Sequence, residues 1–258
     1  MPFAHLHVHS AFSFLDGASD VRVLAQRCAD LGMPALALTD HHTVAGVIRF
    51  RHACEKVGVR PIVGAEIALD DASHLTLLAR NVLGYENLCR LLTKAHLRHE
   101  RGSPQVCWEW VEQHAEGLLV LTGCARGAVP HAVVRNDMDG ARRTLDRLVT
   151  TFGREACFVE IQRLGWPGDR ILNTTLCDLA EGAGVRVVGT NNVHAATRED
   201  FYLRDIMTCI RTGSRIDEPH AERRINAEEY LKSPDVMRRI FKDFPEAIAN
   251  TLRVVEMC

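Results

Sequence analysis

The chain opens with histidine alternating with small or aliphatic residues, Phe3-Ala4-His5-Leu6-His7-Val8-His9. In an extended strand, side chains at i and i+2 share a face. This spacing predicts His5, His7 and His9 on one side, with neighbours about 6.6–7 Å apart along the strand. Leu6 and Val8 turn the other way, into an apolar layer. Three imidazoles aimed at one place are costly to bury unless something binds them. A divalent metal fits, because neutral imidazole is a common ligand. An exposed edge strand with solvated histidines is the plain alternative. The two readings place the strand differently, and the rest of the chain discriminates between them.

Apolar runs and helical stripes alternate after this start. Short strands are expected at 35–39, 61–65, 74–78, 118–122, 157–161 and 185–189. Helices are expected at about 20–31, 44–57, 84–98, 108–114, 138–151 and 169–183, several stopped by glycine. The tail reads as helical at 199–211, 227–231, 234–241 and from 245 onward. Asp70-Asp71-Ala72-Ser73 reads as a hairpin turn, so the strand after it is expected to run antiparallel. Continuous apolar strands with short loops imply a mostly parallel sheet covered by helices. About seven strand–helix units suit an α/β fold closed, or nearly closed, into a barrel. An open doubly wound sheet is the alternative. With no repeat or Gly/Ser linker, residues 1–258 read as one domain.

Composition excludes several classes. The 258 residues are 47% hydrophobic and 25% charged, which is ordinary for a globular protein. Net charge is −2, so nothing global marks a nucleic-acid binder, and a phosphate site would draw its positive charge from metals or local arginines. No apolar run approaches the roughly 20 residues of a membrane span, and no basic-then-apolar leader precedes His5. Nine scattered cysteines with no CxxC argue against a disulfide framework. They imply a reducing, cytoplasmic setting.

Residues able to bind metal fall at strand C-terminal ends, where ligands sit in parallel α/β folds. His7 and His9 end the first strand, and Asp40-His41 the next. Glu66, Cys124, Glu160 and His194 each close a later one. His74 begins its strand, and antiparallel direction brings it to the same rim. Imidazole with carboxylate and one thiolate suits zinc, manganese or iron better than calcium or magnesium. This many ligands implies more than one ion, with Glu66 as a bridge. Such ions bind phosphoryl oxygens, lower the pKa of a water and stabilise a leaving oxygen. Phosphoester hydrolysis is the reaction class.

These motifs resemble a known family. His7-Val8-His9-Ser10, Phe14-Leu15-Asp16-Gly17, Thr39-Asp40-His41, Gly64-Ala65-Glu66, His74-Leu75, Gly123-Cys124 and Asn192-Val193-His194 look like the motifs of PHP domains. The name joins polymerase with histidinol phosphatase. Ala79-Arg80-Asn81, Gly84-Tyr85, Glu222-Arg223-Arg224 and Tyr230-Leu231-Lys232-Ser233 resemble the branch found at the N-terminus of bacterial C-family DNA polymerases. That branch comprises the polymerase III alpha subunit and its error-prone relatives, and the stretch from Ser13 to Ser19 leans towards the latter.

The resemblance implies an α/β fold of the distorted (β/α)7, TIM-like barrel kind around two to three divalent ions. It puts His7, His9, Glu66 and position 192 on a first metal. Glu66, His74 and Cys124 would hold a second, and Asp16, His41 and His194 a third. It gives His9, Glu66 and Asn192 the catalytic work, and it implies metal-dependent 3′–5′ exonuclease activity on a DNA 3′ end. Partners implied are the rest of a polymerase chain and replication or translesion-synthesis proteins, with no membrane. The polymerase's own carboxylates would lie beyond Cys258, so this stretch is not expected to polymerise DNA. Active members usually carry aspartate where this chain has Asn192. An amide oxygen can ligate but brings no charge, which favours a metal-stabilised scaffold as the alternative. A free-standing phosphatase is a third reading.

Other residues carry plainer expectations. His5 reads as a hydrogen-bonded core histidine near the site rather than a ligand. Asp40 orients a ligand or caps a helix. Glu160 supports a ligand from behind, or meets a metal or an arginine directly. Arg204, Arg211, Arg215, Arg223 and Arg224 could meet DNA phosphates, but such a run reads mostly as a solvated face.

Overall fold

The computed structural model describes residues 2–258. Six apolar runs form strands: β1 (Ala35–Leu38), β2 (Arg60–Ala68), β3 (His74–Ala79), β4 (Leu118–Leu121), β5 (Cys157–Gln162) and β6 (Arg186–Thr190). The helices are α1 (Val21–Asp30), α2 (Val47–Val57), α3 (Val82–Arg98), α4 (Trp108–Gln113), α5 (Ala128–Val134), α6 (Met138–Phe152), α7 (Asp169–Ala183), α8 (Phe201–Thr212), α9 (Pro234–Ile240) and α10 (Pro245–Met257). Their ends follow local chemistry. The carboxylate of Asp20 accepts from Arg22 N to open α1, and the Asn81 amide oxygen accepts from Gly84 N to open α3. Gly58 closes α2 in the left-handed conformation.

The strands pair in sequence order, β1 to β6. β3 runs antiparallel to both β2 and β4, and the other pairings are parallel. The expected hairpin after 70–73 is therefore present. Among the described residues the sheet has six strands, not the seven expected. The N-terminal segment is extended but forms no ladder. It makes one bridge to β1 (His5 with Leu36) and one to the chain just past β6 (Val8 with Val193). Ala37 N donates to His5 O at 2.9 Å, and His9 N donates to Val193 O at 2.7 Å. One segment thus touches both edges of the curled sheet.

The two faces of the sheet bury different sets. Leu36, Leu38, Ala65, Ile67, Leu75, Leu77, Val159 and Ile161 pack against the helices in the larger core. Ala35, Ala37, Ile62, Leu78, Leu119, Leu121, Phe158 and Val188 fill the inner face. Ala4 and Leu6 join that inner set, whereas Phe3 and Val8 join the outer one. Simple alternation cannot do this. The backbone bends at His7 and the register slips by one residue there. His7 and His9 therefore face inward, and His5 faces outward. The one-sided triplet expected from the alternating sequence is corrected to a pair.

Two further differences concern local structure. The helix expected at 227–231 does not form; Tyr230 instead bridges Ala195 in extended conformation. The backbone groups there pair with the chain beyond β6, with Leu231 N donating to Ala195 O at 3.0 Å. This long-range partner outweighs a helical propensity that only local bonds would reward. Helix α5 has no counterpart among the expected helices. Its Pro130 sits early in it, where a missing N–H costs nothing.

Candidate metal centre

The polar residues of the inner face converge at one rim. Glu66 lies within β2, two residues before its end, and His74 is the first residue of β3, paired with Ala68 on β2. Gly123 follows β4 with φ +88°, and a Cβ there would come within 2.9 Å of Gly127 Cα. That turn presents Cys124. Gly17 packs so tightly on Ser10 that a Cβ would sit 2.0 Å from the Ser10 carbonyl oxygen. The tight loop brings Asp16 to the rim. Glu160 comes from β5, and Asn192 and His194 follow β6.

Three sets of donors approach one another within 4.8 Å: His7, His9 and Glu66; Glu66, His74 and Cys124; and His9, His41 and His194. Glu66 is central. Its Oε2 is 2.8 Å from His7 Nε2, and its Oε1 is 2.9 Å from His41 Nδ1 and 3.0 Å from His74 Nδ1. Asp16 Oδ2 lies 2.9 Å from His41 Nε2 and 3.1 Å from His194 Nε2. The His9 ring stacks on His41 at 4.1 Å and on His194 at 4.4 Å between centroids. All nine expected ligand positions therefore lie around one rim. Asn192 lines the same small cavity of about 110 Å³ as Asp16, His41, Glu66, His74, Cys124 and His194.

The supporting residues divide. Glu160 Oε1 accepts from His7 Nδ1 at 2.7 Å, so it sits behind a candidate ligand with imidazole, not arginine, as its partner. Asp40 acts at one remove: it accepts from Ser13 Oγ at 2.7 Å, and Ser13 Oγ is 3.1 Å from His9 Nδ1. Both contacts hold the far ring nitrogen and leave Nε2 towards the centre, as orienting partners of metal-bound histidines do. His5 is not part of the centre. Its Nε2 bonds the Lys232 carbonyl at 2.9 Å, and its ring meets Phe3 edge-on.

Burial and charge act against each other here. Burial alone would lower the pKa of His7, yet Glu160 and Glu66 raise it to about 10. His41 is likewise lifted to about 9 by Glu66 and Asp16 against burial. His9 is held well below its usual value by burial and by the neighbouring imidazoles of His41 and His194. Burial and Arg204 lower His194. Glu66 and Asp16, though buried, are held well below the usual carboxylate range by the surrounding histidines, and Asp16 also by Arg204. Burial and Glu66 push the Cys124 thiol up.

The donor set fits divalent cations. His194 Nδ1 donates to the Asn192 carbonyl at 2.7 Å, so its neutral Nε2 turns a lone pair towards the Asp16 carboxylate. His7 Nε2 and His9 Nε2 face each other at 3.1 Å. Among the described residues, Asn192 Oδ1 and Glu160 Oε2 are buried with no hydrogen-bond partner. In the metal-free protein His7 and His41 hold protons against these carboxylates, and a divalent cation can take the place of those protons.

The sequence reading missed one group. Arg204 is 3% exposed and pairs with Glu229, with Asp16 Oδ1 at 3.4 Å. Arg211 also reaches Asp16 Oδ1 at 3.4 Å, and Arg224 reaches Glu229 Oε2 at 3.0 Å. These three are not a solvated face; they wall the site. Arg215 and Arg223 pair instead with Asp217 and Asp205. The seven-residue spacing of Arg204 and Arg211, two turns on one face of α8, was the available signal. Nothing local marked Glu229, which reaches the site by the long-range bridge at Tyr230.

Comparison with known proteins agrees with this architecture. A protein assigned as a metal-dependent phosphoesterase from Bifidobacterium adolescentis superposes with a TM-score of 0.56 over 93% of this chain and 96% of its own, at 17% identity. An amidohydrolase from Chromobacterium violaceum gives 0.54 over 74% and 87%, at 14% identity. At these identities the likeness is one of fold. In sequence, the chain is 44% identical over its full length to an error-prone DNA polymerase of Symbiobacterium thermophilum, and 35% identical to the DNA polymerase III subunit alpha of Treponema pallidum. It spans 25% and 23% of the length of those proteins. Residues 5–164 match the model of the PHP domain. With that match over more than half its length, the chain belongs to the PHP domain family.

Proposed function

We propose that this chain is a metal-dependent phosphodiesterase acting as a 3′–5′ exonuclease on DNA, as the N-terminal PHP domain of a polymerase III alpha-type, error-prone-like polymerase. The observation that carries the reading is Glu66, shared by two of the three donor sets, with its two oxygens turned to different histidines. His7, His9, Glu66 and Asn192 would hold one ion; Glu66, His74 and Cys124 a second; and Asp16, His41 and His194 a third. Zinc, manganese or iron suits these donors. Such ions supply an activated water and neutralise phosphoryl charge. The reaction is hydrolysis, not nucleotide addition. Residues 1–258 act as one domain in the cytoplasm, with the N-terminal segment as the seventh stave of a (β/α)7-like barrel.

The chain's own residues do the rest. Arg211, Arg224 and Arg126 line the small cavity and can bind non-bridging phosphate oxygens. A larger cleft of about 620 Å³ shares Cys124, Arg126, Asn192 and Arg224 with it. Leu164, Trp166 and Met138 line that cleft, and the Arg224 guanidinium lies 5.9 Å from the Trp166 ring centre. An aromatic and apolar wall beside a phosphate site suits a stacked base better than a small phosphate ester. The remaining polymerase chain, with its replication or translesion-synthesis partners, would deliver the 3′ end.

Asn192 supports a second reading, a metal-holding scaffold that braces the polymerase. The test uses 3′-labelled single-stranded and mismatched primer DNA, with manganese- or zinc-loaded wild type and His9→Ala. Metal-dependent release of the terminal nucleotide by wild type, lost in His9→Ala, is expected. A metal-replete wild type that leaves DNA intact sinks the exonuclease reading in favour of the scaffold. Faster hydrolysis of p-nitrophenyl phosphate than of DNA would sink the DNA assignment.

A further inference from the structure

We propose that Glu229 is a positioning residue for Asn192, and that asparagine and glutamate here form an exchanged acid–amide pair. The idea rests on the reading above that the Asn192 side chain faces the ions. Asn192 sits at φ +43°, in the left-handed region that asparagine and aspartate tolerate best. Its Nδ2 donates to Glu229 Oε1 at 3.1 Å. Its Oδ1 is buried and has no partner. Arg204 and Arg224 both pair with Glu229 Oε2, so the carboxylate is anchored from the far side. The amide cannot turn over without placing its oxygen against that carboxylate. Glu229 therefore decides which atom of Asn192 is left free, and the free atom is the acceptor.

The same contact explains why this pocket takes an amide. Aspartate at position 192 would set two carboxylates about 3 Å apart in a buried wall, where like charges are costly. The negative charge missing from position 192 is present one hydrogen bond further out, on Glu229. Introducing aspartate alone therefore adds no usable ligand. Exchanging the pair does. A glutamine at position 229 donates its amide N–H to one oxygen of an aspartate at position 192 and leaves the other oxygen free. Net charge and donor count are unchanged by the exchange.

The test is a four-protein cycle: wild type, Asn192→Asp, Glu229→Gln and the double exchange. Thermal melting is read without metal, and manganese binding by equilibrium dialysis. Asn192→Asp is expected to melt about 5 °C below wild type. Glu229→Gln is expected to bind manganese on the order of tenfold more weakly, as loss of an orienting partner does. The double exchange should melt within about 2 °C of wild type and bind manganese at least as tightly. An Asn192→Asp protein that equals the double exchange in both readouts overturns the proposal, because Glu229 then imposes nothing on position 192. The melts need no ion. A wild type that binds no metal would sink the metal-centre reading, while the Asn192–Glu229 coupling still stands or falls on the melts alone.

Discussion

His5 and His7 are two residues apart, both fully buried, and opposite in every other respect. The His5 ring has one hydrogen bond, to a carbonyl, and burial depresses its pKa to about 4, so it is neutral. His7 lies between two carboxylates that overcome burial and lift it to about 10. Burial does not distinguish a structural histidine from a candidate ligand. The acidic partners do, and the bend at His7 decides which ring reaches them.

The most severe challenge to this contrast is His7→Gln. It leaves Glu160 buried without its cationic partner and Glu66 with His41 in place of two such partners, which costs about 3–5 kcal/mol in the metal-free protein. Elemental analysis should show loss of metal from the set that His7 shares with His9 and Glu66. A variant with wild-type melting and full metal content would mean that His7 is as peripheral as His5.

A pH series separates the two residues further. The raised pKa of His7 contributes stability that is complete below about 6.5 and is lost as pH rises through about 10. His41 acts in the same direction, up to about 9. His5 has the opposite sign: its contribution is complete above about 6.5 and is lost as pH falls through about 4. Metal-free protein should therefore melt highest near pH 6.5, falling by about 5 °C on each side. Saturating manganese should flatten the alkaline arm, where the ion replaces the His7 and His41 protons, and leave the acid arm in place. An alkaline arm unchanged by metal would separate His7 from the metal site.

The smallest effect belongs to His5→Gln. One hydrogen bond to a carbonyl is at stake, so the loss should be about 1 kcal/mol with metal content and DNA hydrolysis unchanged. A loss of metal in this variant would return His5 to the centre and undo the register argument.

Much of the molecule was legible in the chain alone. Apolar runs and glycine stops placed the six strands, and the 70–73 turn announced the antiparallel β3, because these depend on neighbours in sequence. Most of the candidate ligand positions were legible for a related reason: residues at strand ends share a rim wherever the sheet is parallel or a hairpin returns; Asp16 and Asn192 entered the set only through the family resemblance. The local signals failed where a distant partner intervened. Residues 227–231 gave up a helix for backbone bonds beyond β6.

The order of residues dictated which side-chain types could gather and at which ends of which strands. Folding in three dimensions settled that His5 leaves the group, that Arg204, Arg211 and Arg224 enclose it, and that Glu229 faces Asn192. Each of those outcomes turns on a single-residue register or a contact across many residues of chain. Side-chain periodicity carries no information about either, because a one-residue slip reverses a strand's face without changing its composition.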